Sequence, residues 1–335
     1  MKKYFLYELK KHIWTLVILT AVCALPYIVE SATFRMLYTY NYEGAERIVL
    51  CSPQLSYVFV ELLILLFVVP AIVYSFKMSK RGVDGHYSLP LKREKLYLVA
   101  TMVGLILVLV PFTISYWGGF FTLLFRKGNP YQMGYYIPAY FGGLFFAVLL
   151  FGINAFIYTR ANRVVDGIVF MGAYAFIGLL AINFLDYAFD VSLYSWRIEQ
   201  CFIFSGSMFS FVNRMTDYIL GNKLGESLAG WWFGLTAAAG MLCYALFYFA
   251  IRFEKGENAE QNSASWFGYK TLIPIYILLC LGGGAGEEII GFVLVAVGGV
   301  VATIVYKRKF KLKFIDWLPL IIGLAAGIVL ALVTG

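Results

Sequence analysis

Charge is scarce in this chain. Only 14% of its 335 residues are charged, 61% are hydrophobic, and the mean hydropathy is +0.78. A soluble domain is nearer half apolar and a quarter charged, so this composition excludes a soluble enzyme or binding domain. The net charge of +8 comes from basic residues scattered over short loops beside apolar runs, and it does not indicate a nucleic-acid partner.

The residues that usually bind metals are also rare. The only two histidines, His12 and His86, lie far apart in the sequence, and no H-E-x-x-H motif is present. We predict no metal site and no catalytic residue. The five cysteines form no C-x-x-C pair. A disulfide between Cys51 and Cys201 stays open, because spacing alone does not decide pairing.

A phosphate-binding loop is missing as well. No G-x-x-x-x-G-K-[ST] pattern occurs, and the glycine-rich stretch LGGGAGEE at 281–288 lacks the lysine that reaches the phosphates. We therefore expect no cofactor on this chain. If ATP drives the protein, ATP and its Mg²⁺ bind to a separate subunit.

Long apolar runs dominate what is present. Runs of about 18 residues or more indicate helices that cross a bilayer. We predict an all-α polytopic membrane protein, a single domain over 1–335, with about nine spans and a range of eight to ten. The seventh is short and is read as a span or as half of a re-entrant pair. The predicted spans are 12–30, 56–76, 96–117, 137–159, 164–185, 229–251, 270–284, 288–306 and 316–334.

Lysine and arginine set the expected orientation. With the N-terminus in the cytoplasm, the inner segments hold 20 of the 27 basic residues and the outer segments hold seven. This bias matches the positive-inside rule. We expect the membrane to be the plasma membrane of a prokaryote. The charge bias places an interfacial helix (1–11) and the loops 77–95, 160–163, 252–270 and 307–315 inside, and a first and a second long outer segment, 31–55 and 186–228, outside.

Three polar residues within the predicted spans are candidates for a functional role, because ionisable groups in a membrane are costly. Glu61 is expected to reach toward the interface or to pair. Asp166 is expected to pair with Arg163 at helical spacing. Asn154 is expected to form a hydrogen bond between helices.

The loop 77–95 holds features that its position between two spans does not require. It contains a Gly-Xaa-Xaa-Gly pattern (82–85), read as a turn, a Ser-Leu-Pro corner (88–90) and a basic cluster (92–95), after which a helix can start. Anionic headgroups would account for the basic residues but not for Asp84 to Tyr87. A small helix docking into the groove of a partner protein accounts for both.

The sequence SKRGVDGHYSLPLKREKLYLVATMVGLILVLVP (79–111) resembles the region between the second and third spans of permease subunits of type-2 ABC transporters. In that family this loop is a coupling helix that sits in a cleft of the ATP-binding subunit. The resemblance implies that the partner-binding positions are Asp84, Tyr87, Ser88, Leu89, Pro90 and Arg93. The segment 252–276 resembles a later cytoplasmic loop that ends in Glu-Xaa-Ala-Gly in the family. This chain keeps Glu257 and Ala259 but has Glu260 where glycine is usual.

The resemblance implies a permease that exports an amphipathic, peptide or lipid-like compound. The implied partners are a pair of ATP-binding subunits, a second identical or similar permease, and membrane lipids. Two alternatives stay open: an intramembrane lipid-modifying enzyme, and a non-transporting membrane scaffold or sensor. The residues do not identify the transported substrate.

Overall fold

The computed structural model describes residues 2–33, 37–42, 45–50, 55–125, 132–189, 203–220, 230–254, 256–263, 265–282 and 289–307, with 317–318, 321–325 and 329. Within these residues the chain is helical except for one hairpin. The elements, in chain order, are α1 (Lys2–Lys11), α2 (Ile13–Thr33), β1 (Leu37–Tyr42), β2 (Ala45–Leu50), α3 (Leu55–Val73), α4 (Lys80–Tyr87), α5 (Arg93–Leu124), α6 (Tyr136–Thr159), α7 (Val164–Phe189), α8 (Ile203–Leu220), α9 (Gly230–Arg252), α10 (Tyr269–Cys280) and α11 (Ile289–Lys307).

Seven helices are long and apolar enough to cross a membrane, counted over the described residues: α2, α3, α5, α6, α7, α9 and α11. This confirms a predominantly helical protein, and the seven candidate spans agree with a multi-pass membrane protein; the expected count of about nine stays a prediction. The predicted seventh span is the 12-residue helix α10. At 1.5 Å per residue it is about 18 Å long, which is too short for a hydrocarbon core of about 30 Å. The predicted ninth span, 316–334, falls largely outside the described residues.

The first outer segment contains structure that we did not predict. Strands β1 and β2 pair antiparallel, from Leu37 opposite Leu50 to Tyr42 opposite Ala45. In the second outer segment, helix α8 buries Met208, Val212 and Ile219 along one face, with the spacing of an amphipathic helix. The described residues do not include 190–202 and 221–229 of that segment. Cys201 and Cys51 are also outside them.

The chain groups into two compact units. Unit 1 comprises Met1–Val73, Pro90–Asn154 and Ser207–Phe253, and unit 2 comprises Tyr74–Leu89, Ala155–Gly206 and Glu254–Gly335. In unit 1, α5 packs against α2, α3 and α9. Glycines allow close approach there. A Cβ added to Gly119 would lie 1.9 Å from the Tyr27 ring, and one added to Gly104 would lie 2.5 Å from the Phe151 ring.

Helix α1 forms as predicted and packs against α5 within unit 1. Leu6 and Tyr7 are exposed, and Glu8 is buried. The Glu8 carboxylate lies 3.4 Å from the Lys11 ammonium and 3.8 Å from His12 Nε2. Burial, followed by the nearby Lys11 charge, lowers the pKa of His12. His12, which directly follows α1, thus lies beside Glu8 of that helix and far from His86 in the sequence.

Candidate functional site

The loop after α3 contains a short helix with defined ends. The Ser79 side chain caps α4 by accepting a hydrogen bond from the Gly82 backbone N–H at 3.1 Å. The helix ends at Ser88, whose backbone N–H donates to the Asp84 carbonyl at 3.1 Å. Pro90 follows shortly after, as is common past a helix end. The predicted turn at 82–85 is wrong: Gly82 and Gly85 both lie within α4.

Gly82 allows α4 to lie directly against the 3-10 helix Ser75–Met78. A Cβ at Gly82 would come within 2.3 Å of the Phe76 carbonyl oxygen, which is backbone and cannot swing aside. The His86 ring stacks on the Phe76 ring with centroids 4.3 Å apart. Packing of α4 on Phe76 therefore accounts for Gly82 and His86, for which the sequence alone indicated no role.

The inner face of α4 packs against the segment that follows α9. Val83 is buried, and a Cβ at Gly256 would lie 2.8 Å from Val83 Cγ1 and 3.4 Å from the Tyr87 ring. Tyr87 is half-buried. Of the partner-binding residues that the resemblance implies, Tyr87 is thus held within unit 2 rather than fully presented to a partner.

The remaining implied residues are exposed. Asp84 and Ser88 are four positions apart on the outer side of α4, so they share one helix face, and Leu89 follows at its end. These three belong to unit 2. Pro90 and Arg93 are also exposed but belong to unit 1, where Arg93 begins α5. The helix expected after Pro90 is therefore confirmed.

Glu260 joins three loop segments of unit 2. Its backbone N–H donates to the Asn162 carbonyl at 3.0 Å, and its carbonyl accepts from Arg163 Nε at 2.7 Å. Its carboxylate accepts from the Lys80 backbone N–H, at the start of α4, at 3.2 Å. A carboxylate is favourable at a helix N-terminus. The segment 256–263 therefore holds α4 against the loop between α6 and α7.

Glu260 also has a φ of +66°, in the left-handed region that favours glycine. The Glu-Xaa-Ala-Gly motif of the resemblance has glycine at this position. Glu260 differs from that motif in residue type, but its backbone has the conformation that glycine favours. Sequence reading found the position but not its contacts, because those contacts join residues about 100 and 180 positions apart.

We expect Glu260→Ala to destabilise the protein more than Glu260→Gly, by about 1 kcal/mol. Both variants lose the carboxylate that bonds to Lys80, but only alanine keeps the left-handed strain. Thermal denaturation of the detergent-solubilised protein measures the difference. Equal melting temperatures would mean that the backbone conformation at 260 is not strained.

A buried ion pair lies beneath α4. Lys77, on the 3-10 helix Ser75–Met78, is 5% exposed. Its ammonium pairs with the Glu254 carboxylate and donates to the Thr159 carbonyl. Burial lowers the pKa of Lys77 to about 8; Glu254 opposes this effect and Arg160 adds to it. In the sequence, Lys77 was only one of the basic residues expected in the cytoplasm. Its position next to the apolar α3 was the one signal that it could be buried.

Further hydrogen bonds close this set of loops. Ser263 Oγ donates to the Arg160 carbonyl at 2.8 Å, and the Tyr306 hydroxyl donates to the Ser263 carbonyl at 2.8 Å. We call residues 75–89, 160–163 and 254–263 the loop cluster. Its three segments, and the end of α11, are those that the basic residues assign to one side of the membrane. The contacts agree with that assignment.

The three intramembrane polar residues have local partners. Glu61 Oε2 accepts from Ser115 Oγ at 2.9 Å. The expected hydrogen bond of Asn154 between helices is present, because its side chain donates to the Leu66 carbonyl of α3 at 2.9 Å. Asp166 accepts from the Tyr269 hydroxyl at 3.1 Å. The expected Asp166–Arg163 pair is wrong, because Arg163 binds the Glu260 carbonyl instead.

In the described part of the chain, no group of three histidine, cysteine or carboxylate side chains could hold a metal ion. A scan against protein-family models and searches of curated proteins and of solved structures found no match to this chain. The arguments for function therefore rest on its own residues and contacts and on the resemblance of residues 79–111 described above.

Proposed function

We propose that this chain is the membrane-spanning permease subunit of an ATP-driven transporter of the type-2 ABC kind. In this proposal the outer face of α4, with Leu89 at its end, docks onto a separate ATP-binding subunit in the cytoplasm. ATP and Mg²⁺ bind to that subunit, and this chain carries no catalytic residue. The membrane is the plasma membrane of a prokaryote, with the N-terminus inside.

One observation carries the proposal. Helix α4 is short, capped and held by the 3-10 helix Ser75–Met78 and by residues 256–260, yet Asp84, Ser88 and Leu89 stay exposed. A loop that only contacts lipid headgroups needs positive charge and no such support. A braced helix with an exposed apolar end suits a protein–protein interface, in which an apolar anchor is surrounded by polar residues.

The support of α4 also suits force transmission. Packed elements move together when the contacts between them are stiff. Such packing switches between discrete arrangements and does not deform continuously. The Glu260 hydrogen bonds and the buried Lys77–Glu254 pair join α4 and the 3-10 helix Ser75–Met78 to the end of α6 and to the residues that follow α6 and α9 in the chain. Closure of an ATP-binding subunit pair on α4 would then move these helices.

The membrane part favours an amphipathic, peptide or lipid-like substrate. Glu61 and Asp166 each have a hydrogen-bond partner, and ion-coupled carriers depend on clusters of such groups. We propose two copies of this permease, or this chain with a similar one, as the transport pathway. Export follows from the resemblance, as does the pairing of permeases.

Two other functions compete with this one. An intramembrane lipid-modifying enzyme needs several polar side chains to converge, and the local partners of Glu61 and Asp166 give no support for that. A non-transporting scaffold or sensor would use the same docking face. It differs from a permease only in moving no substrate.

The proposal is tested by affinity capture of the tagged chain from its native membranes. We expect a subunit with a phosphate-binding loop to co-purify in near-equal amount, and the complex to hydrolyse ATP. Recovery of the folded chain without any ATP-binding subunit would contradict the proposal. ATP-dependent flux in liposomes that contain the purified complex then separates a permease from a sensor.

A further inference from the structure

Unit 2 contains an apolar cavity of about 340 Å³ between α7, α10 and α11. Two tyrosines line it, but their hydroxyls are already bonded to α7: Tyr269 donates to Asp166, and Tyr276 donates to the Ala173 carbonyl. The rest of the wall consists of aliphatic side chains, glycines and Cys280. Such a wall favours an apolar occupant, because water in a cavity needs several polar partners.

The cavity is expected to lie at the level of the bilayer, because two of the helices that line it are candidate spans. Helices α7 and α11 are candidate spans, and α10 is about 18 Å long. Exposed Trp266 and Phe267 come just before α10, and aromatic residues concentrate at membrane interfaces. The cavity therefore starts near the interface on the side of the loop cluster and extends into one leaflet.

Two lysines directly follow tyrosines at one end of the cavity, where Tyr269 lines the cavity and Tyr306 packs against Tyr269. Lys270 is exposed and follows Tyr269 directly. Lys307 ends α11, with its ammonium 5.6 Å from the centre of the Tyr306 ring. The Tyr306 ring in turn packs 4.8 Å from the Tyr269 ring. An apolar slot within the leaflet thus has cationic groups where a lipid headgroup would lie.

We propose that this cavity binds one acyl chain of an anionic phospholipid, whose phosphate lies beside Lys270 and Lys307. The cavity volume falls in the usual range of ligand sites, roughly 300–1,000 Å³. Anionic lipids are enriched in the cytoplasmic leaflet, on which the loop cluster is expected to lie. This inference goes beyond the transport function and does not depend on an ATP-binding partner.

Lipid binding is measured by native mass spectrometry of the full-length protein in detergent, with equal amounts of phosphatidylglycerol and phosphatidylcholine. We expect the wild type to retain phosphatidylglycerol preferentially. Replacing Lys270 and Lys307 by glutamine should reduce that preference about fivefold per lysine, since each basic group near an anionic surface contributes about 1 kcal/mol.

Gly298→Leu tests the apolar slot. Gly298 lines the cavity, and a Cβ there meets no atom within 4 Å, so a leucine can enter without a backbone clash. We expect retention of both lipids to fall about tenfold, the effect of excluding about two methylene groups. Gly172→Leu is the matched control, because Gly172 on α7 also has open space around its Cβ but does not line the cavity.

The inference is overturned if the wild type shows no preference for phosphatidylglycerol, or if Gly298→Leu retains lipid as well as Gly172→Leu does. Loss of both lipids in Gly298→Leu, with no effect of the lysine variants, would point instead to an uncharged occupant and would also overturn it. If Gly298→Leu is not monodisperse, Gly298→Ala replaces it, and we expect a smaller loss in the same direction.

Discussion

Replacing Leu89 by aspartate is expected to weaken binding of the ATP-binding subunit by about thirtyfold or more. Leu89 is 36% exposed at the end of α4, next to the polar face formed by Asp84 and Ser88. Burial of such an apolar anchor in a partner's pocket typically contributes about 2 kcal/mol or more, and a carboxylate there would be desolvated without a partner. Co-purification of both subunits from detergent extracts measures the change.

Phe125→Asp is the matched control for this variant. Phe125 is 81% exposed just after α5, and α5 has 32 residues, or a length of about 48 Å. Phe125 thus lies at the opposite end of that helix from the loop that carries α4. The control should bind the ATP-binding subunit as the wild type does. Equal binding by both variants would exclude Leu89 as an anchor.

Tyr87 is a weaker choice for this test. Its ring packs near Gly256 within unit 2, so a charged replacement would disturb the support of α4 as well as any partner contact. Leu89 makes the outcome easier to interpret because its substitution leaves that packing in place.

The second large effect is expected at the buried ion pair of the loop cluster. Lys77→Met should lower the free energy of unfolding by about 3–5 kcal/mol, because the buried Glu254 carboxylate loses its ion pair with Lys77. Thermal denaturation in detergent should show a fall on the order of 5–10 °C. Loss of ATP-binding-subunit capture should accompany it, because α4 rests on this pair through the 3-10 helix.

The double variant Lys77→Met, Glu254→Leu is the control for that result. Replacing a whole buried ion pair with apolar side chains is often neutral or stabilising, so we expect most of the lost stability to return. A double variant as unstable as Lys77→Met alone would mean that the side-chain volume or the Thr159 contact, rather than the charge pair, stabilises the cluster.

The pair also has a defined pH dependence. Burial first, opposed by Glu254, lowers the pKa of Lys77 from 10.5 to about 8, so the unfolded chain binds more protons at this residue between these values. Stability therefore rises with pH across about 8 to 10.5, by at most about 1.4 kcal/mol per pH unit, and is flat below that window. The slope is measured as the difference in the free energy of unfolding between wild type and Lys77→Met across this pH range. A difference that does not change with pH would mean that Lys77 is not buried.

The helices of the membrane part were predictable because long apolar runs demand helical backbone in a bilayer. Hydropathy located α2, α3, α6, α7, α9 and α11 to within a few residues, and it ended α5 seven residues before Leu124. At 270–284 it gave a short span or half of a re-entrant pair, and the structure has the 12-residue helix α10 there. The hairpin of β1 and β2 carried no signal that we recognised.

The loop cluster was predictable only in part. The unusual composition of 77–95 predicted a small helix, which is present as α4. The bracing by Glu260 and the pair of Lys77 with Glu254 were missed, because they join segments that are far apart in the chain. The Gly82–Gly85 pattern was misread because a glycine that permits close packing and a glycine that forms a turn look alike in a sequence.

The most direct test of the central claim is a site-specific photo-crosslink. A benzoylphenylalanine residue placed at Ser88, which is exposed on the outer face of α4, should crosslink to an ATP-binding subunit in native membranes. The same group at Phe125 should not. Crosslinking from Ser88 to lipid alone, or to no ATP-binding subunit while one still co-purifies, would contradict the claim that this face is where that subunit docks.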